Sequence, residues 1–131
     1  MRVLVIGDSC EDRFVYGDAK RLSPEAPVPI LESQRTETSK GMAWNVFNNL
    51  LAFGIETSML TNAEQIVKTR YIDEKSNYQI LRVDDEPAIK SLEEVVSNVN
   101  YDALVISDYD KGFITQEKLF EICSTFVGPI F

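Results

Sequence analysis

The chain has 131 residues, 21 acidic against 13 basic side chains for a formal net charge of −8, and no histidine. Its length suits one domain with its own core. The acidity argues against a nonspecific nucleic-acid surface, and the missing imidazole excludes histidine triads and histidine metal sites.

Val3-Leu4-Val5-Ile6 is a continuous apolar run ending at Gly7-Asp8, which predicts a parallel strand buried on both faces. Four apolar residues are too few for a signal-peptide core or a membrane span. Cys10 and Cys123 lie far apart in sequence and form no C-x-x-C pair, so neither a zinc site nor a disulfide framework is expected, and a reducing cytoplasm fits. Asp8 and Asp12 follow the strand, where open α/β sheets bind ligands. Taken singly, each also reads as a turn or helix-capping carboxylate.

From Phe14 to Gln34, prolines 24, 27 and 29 interrupt short strand-like runs, predicting a small exposed β excursion with edge strands. A helix opened by Thr38 to Asn45 and running to Phe53 is expected next. Ala43, Val46, Phe47, Leu50, Leu51 and Gly54 form one helical stripe, Thr38 or Ser39 is placed to cap it, and Gly54 to end it. Gly41 and Asn45 in its first turn suit a polyhydroxylated or anionic ligand, with an ordinary capped helix as the alternative.

Thr57 to Thr61 reads as a second sheet strand, and 62–67 as a short connector. Lys68 to Ile72 and Tyr78 to Val83 then flank a polar tetrad, predicting a hairpin that sets Arg70 roughly opposite Arg82. Facing cations call for an anion, either a ligand or Asp73, Asp84 or Asp85. Ala88 to Val99 has the period of an amphipathic helix, with Glu93, Glu94 and Asn98 on its wet side. Ala103 to Ile106 repeats the buried-strand pattern and ends in Ser107-Asp108-Tyr109-Asp110-Lys111-Gly112 at the ligand-binding edge. Thr115 should cap a last helix with Leu119, Ile122, Cys123 and Phe126 on its face. Ile130-Phe131 looks like the start of another strand. Neither a dinucleotide fingerprint nor a P-loop occurs among the six glycines.

Several segments together resemble the ribokinase-like (PfkB) carbohydrate kinases, closest to the heptose-7-phosphate kinase branch. They are Gly7-Asp8 with Asp12-Arg13, Arg21 to Pro29, Gly41 to Asn45, Lys68 to Arg70, Arg82 to Asp84, and Ser107 to Tyr109 with Lys111-Gly112, in family order. Of these, the Ser-Pro-Glu-Ala-Pro-Val-Pro run is the most specific. The resemblance implies an α/β sandwich with a parallel-type sheet and a small β lid, a single domain over 1–131 that represents only the N-terminal part, with lid segments at about 13–36 and 68–85. It implies sugar binding by Asp12, Gly41 and Asn45, a phosphate near Lys68, Arg70 and Arg82, an active-site edge at Asp8, Asp108 and Lys111, and a homodimer through the lid. A complete relative would use ATP and magnesium. Met42, Trp44 and Phe47 depart from the family's small residues, and a helix and strand usual between Leu60 and Lys68 are missing. The Gly-Ala-Gly-Asp segment carrying the catalytic aspartate is absent too, so no catalytic residue is expected in this span. Two functions follow: the sugar-binding and lid half of an ATP-dependent sugar or sugar-phosphate kinase, or a noncatalytic sugar-phosphate-binding or dimerisation module derived from one.

Overall fold

The computed structural model describes residues 1–94, 96 and 100–131. Its elements are β1 (Arg2–Gly7), β2 (Ser9–Leu22), β3 (Pro29–Met42), α1 (Ala43–Ala52), β4 (Glu56–Leu60), β5 (Ile66–Asp73), β6 (Tyr78–Asp85), β7 (Ala103–Ser107) and α2 (Gln116–Thr125). They form two compact units: 1–10, 40–65 and 87–131 in one, 11–39 and 66–86 in the other.

The first unit is built on a parallel sheet of order β4-β1-β7. Its central strand is apolar at every step from Val3 to Ile6 because both faces are covered: Leu4 and Ile6 join Leu92, Val96, Leu104, Phe113, Ile114, Ile122 and Phe126 in one buried cluster, while Val3 and Val5 are equally buried outside it. Ile130 bridges Leu104 in parallel, so the last residues do begin a strand beside β7. Thr115 caps α2 by accepting from the Lys118 N–H, and Gly54, at φ 74°, follows α1 as a left-handed end.

Four local expectations need correction. The helix does not open in the 38–42 stretch: Thr38, Ser39 and Gly41 lie in β3, which runs to Met42, and no side chain caps α1. Pairing of β3 with β2 carries the chain as strand past the capping residues, and cross-strand hydrogen bonds override their local preference. The proline-rich excursion is two 14-residue strands rather than short interrupted runs, with Pro24 and Pro27 confined to the turn between them and Pro29 opening β3. Residues 88–94 are not helical; the Leu92 N–H donates to the Phe113 carbonyl, which still buries Leu92 with its neighbours. Val95 and Ser97 to Val99 of that expected helix, including Asn98, lie outside the described residues. Cys123 is exposed, so the buried face of α2 narrows to Ile122 and Phe126 with Leu119 partly covered.

The second unit carries an antiparallel β5–β6 hairpin in a four-stranded sheet of order β3-β2-β5-β6. Arg70 pairs directly with Arg82, as the spacing predicts, and Lys68 with Asp84. A register shift between Tyr71 and Ile72 absorbs the offset into the turn, where Asn77 takes φ 54°.

Candidate functional site

The candidate residues divide between the units. In the first, Gly41 is buried near the end of β3 and Asn45 is exposed in the first turn of α1. Met42 between strand and helix has φ 57° and ψ −127°, a conformation that only glycine adopts without strain. Lys40 lies over the Trp44 ring at 3.8 Å, and Trp44 meets Phe47 edge to face. The first turn of α1 is therefore flanked by bulky aromatic surface.

Asp8 is fully buried at the end of β1. Its carboxylate accepts from the N–H groups of Tyr109, Lys111 and Phe113 at 2.8, 3.3 and 3.4 Å, and its carbonyl accepts from the Ala43 N–H at 3.0 Å. Asp108 is exposed and accepts from the Asp110 N–H, while Lys111 is half-buried.

In the second unit, Asp12 lies in β2 and its carboxylate accepts from Arg70 at 2.6 Å, with both side chains about one-fifth exposed. Arg70 also lies near the Phe14 ring, its guanidinium 5.2 Å from the centroid. Lys68 is almost buried and pairs with Glu86 at 3.3 Å and Asp84 at 3.8 Å. Arg82 grips Asp84 with two donors at 2.6 and 2.8 Å, and this hydrogen bonding holds the Asp84 carboxyl below its ordinary value and the guanidinium above its own. Three cations and three carboxylates thus interlock on the hairpin and β2. Asp73 takes no part, since it accepts from Ser76 and from the Ala19 N–H instead.

Two contributors carried no signal in the sequence. Glu86 lies beyond the strand that it serves. Asn62, buried after β4, bonds both the N–H and the carbonyl of Ser9 through its amide, in the place of a neighbouring strand's peptide. Close by, a cavity of about 500 Å³ is lined by Leu60, Thr61, Glu64, Lys90, Leu92 and Phe113. No described cluster of three carboxylate or cysteine side chains is arranged to hold a metal ion, and no described helix is long and apolar enough to cross a membrane.

A parallel sheet with a second four-stranded sheet drawn from two separate chain segments is the arrangement of the ribokinase-like fold. Solved structures agree: a carbohydrate kinase from Agrobacterium tumefaciens matches 98% of the chain at 12% identity and TM-score 0.52, and the Methanocaldococcus jannaschii nucleoside kinase, an archaeal member of the ribokinase family, matches 98% at 11% identity and 0.51. The chain covers 52% and 51% of them. No protein-family model matches. In sequence the chain is similar to the bifunctional protein HldE of a Nitratiruptor species, 35% identical across 99% of this chain, and to that of Sulfurimonas denitrificans, 33% identical across 95%. It spans about a third of their length, 36% and 34%. The chain therefore has the ribokinase-like fold and is related to the HldE proteins across almost all of its residues.

The first of these alignments extends over 164 positions, and 164 less the chain's 131 residues leaves at least 33 without a counterpart here. In this chain β4 and β5 are joined by the five residues from Thr61 to Gln65.

Proposed function

We propose that this span is the sugar-binding and lid portion of an ATP-dependent kinase acting on a sugar or sugar phosphate of the heptose-7-phosphate kind. The observation that carries the proposal is relationship to HldE over 99% of the chain, on a ribokinase-like fold. Asp12 and Asn45 accept and donate to sugar hydroxyls, and Gly41 allows close approach of the ligand to the backbone. Arg70 holds the Asp12 carboxylate as an acceptor in one orientation. Lys68, Arg70 and Arg82 take the phosphate, its oxygens exchanging with Asp84 and Glu86 for the donors of Lys68 and Arg82, while Arg70 keeps Asp12 and offers its remaining donors. Phosphoryl transfer rests on positioning and charge stabilisation of both substrates, and these residues supply the sugar side. In a complete enzyme ATP would supply the transferred phosphoryl group and magnesium would neutralise charge on its phosphates. The described carboxylates do not fit a magnesium site, so no residue here is assigned to one.

The lid also serves self-association in this proposal. Tyr78, Leu81 and Val83 on edge strand β6 are 70%, 53% and 45% exposed, and pairing with a second copy would cover them. We place the protein in the cytoplasm. A second reading, a noncatalytic sugar-phosphate-binding or dimerisation module, is favoured by the residues missing relative to HldE and by the bulk of Met42 and Trp44.

Thermal melting with and without a sugar phosphate tests the site. The ligand should raise the melting temperature of the wild type, and Asp12→Ala or Asn45→Ala should abolish that rise. A rise retained in both variants would remove these residues from the site.

A further inference from the structure

The loop from Asp108 to Phe113 has no regular secondary structure, yet its backbone follows a rule. Asp110 and Gly112 have φ of 56° and 100°, so left-handed residues alternate along it. Such alternation turns the N–H groups on either side of each left-handed residue toward one point, the geometry of a main-chain anion nest. Here those donors are Tyr109, Lys111 and Phe113, and all three meet at the two oxygens of one carboxylate, Asp8.

We infer that Asp8 is the built-in anion of a double nest and acts as a positioning residue, setting the conformation in which the sheet edge presents Asp108 and Lys111. Full burial keeps the carboxylate from touching a ligand directly. The residue also reaches the other candidate segment of the unit, because its carbonyl holds the Ala43 N–H at the start of α1. One residue at the end of β1 thereby ties the loop after β7 to the helix that carries Asn45. Asn could not replace it: an amide keeps one acceptor oxygen but turns an NH₂ toward main-chain donors. Gly112 is required for the same geometry, since its φ lies where other residues are strained. The importance of the loop for sugar binding rests on the proposed function, whereas the nest stands on the loop alone.

Amide hydrogen exchange and anion rescue test the nest without any sugar. In the wild type, the amides of Tyr109, Lys111 and Phe113 should exchange at least about a hundredfold slower than unstructured amides despite lying in a loop. Unprotected exchange at these three would overturn the proposal, whether or not a variant folds. Asp8→Ala should lower the melting temperature, and sodium formate should restore about half or more of the loss relative to sodium chloride at equal ionic strength, by refilling the nest with a carboxylate. Leu104→Ala, which damages the core and leaves the nest intact, should respond to both salts alike. Equal responses of Asp8→Ala to formate and chloride would contradict the nest. Retained rescue with no sugar-phosphate binding would leave the nest standing and count against the kinase reading.

Discussion

In the parallel sheet, β1 lies between two partners with Val3, Leu4, Val5 and Ile6 at 3% exposure or less, whereas edge strand β6 of the four-stranded sheet leaves Tyr78, Leu81 and Val83 at 45% or more. The first sheet is held by apolar burial on both faces of its central strand. Beyond its ladder, the second relies on ion pairs: Asp12–Arg70, Lys68–Glu86 and Arg82–Asp84. The contrast separates two duties. A central strand buried on both faces gives a rigid edge on which the Asp8 loop and α1 can be built. In the proposed function, the charges of the second sheet trade an internal carboxylate for a ligand phosphate.

The sharpest way to break this comparison is to truncate one apolar residue in each sheet. Leu104→Ala, fully buried in the core cluster, should cost about 2–5 kcal/mol in urea unfolding. Leu81→Ala should change stability by less than about 0.5 kcal/mol. Similar costs would show that the second sheet is as tightly covered as the core.

Backbone strain inside the buried unit gives the next largest effect. At Met42, replacement by Gly relieves the φ 57° conformation and replacement by Ala does not, while both lose the same buried side chain. Met42→Gly should therefore be more stable than Met42→Ala by about 1–3 kcal/mol, the reverse of the usual order. Equal stabilities in chemical denaturation would mean that position 42 adopts an ordinary conformation.

Charge substitution probes the second sheet. Arg70→Gln leaves Asp12 without its cation in a partly buried setting and should lower stability by about 1–2 kcal/mol. At fixed ionic strength, inorganic phosphate should raise the melting temperature of the wild type and raise that of Arg70→Gln less. An unchanged phosphate response would remove Arg70 from the anion site.

The smallest effect is a pH dependence. Hydrogen bonding from Arg82 lowers the Asp84 pKa in the folded state, so this group adds stability above its unfolded value near 3.8, and that stability is lost as pH falls through the lower folded value. Arg82→Gln should lower stability slightly at neutral pH and flatten the decline below about pH 4. A decline of unchanged steepness in acid unfolding would assign the acid sensitivity to other carboxylates.

How much was legible in the sequence follows the same division. Val3 to Ile6 and Ala103 to Ile106 announced buried parallel strands because unbroken apolar runs have few other uses, and the polar tetrad at 74–77 fixed the hairpin register that sets Arg70 against Arg82. The start of α1 was not legible, since Thr38 and Ser39 are good caps locally and only pairing with β2 keeps them in strand. Residues 88–94 have helical periodicity that a bond from Leu92 to Phe113 overrides. In the site, residue types were readable but partners were not. Arg70 chooses Asp12, 58 positions away, over the nearby Asp73, and no local spacing encodes that choice. Asp8 appeared only as a carboxylate at a strand end; the three donors that surround it come from a loop about a hundred residues later.

Calorimetric titration of heptose 7-phosphate into the 131-residue chain, without nucleotide, tests the central claim most directly. Saturable heat is expected, with a Kd between about 1 μM and 1 mM, lost in Asn45→Ala and weakened in Arg70→Gln. No saturable heat at millimolar ligand with a chain shown to be folded, or identical binding by the Asn45→Ala variant, would contradict it.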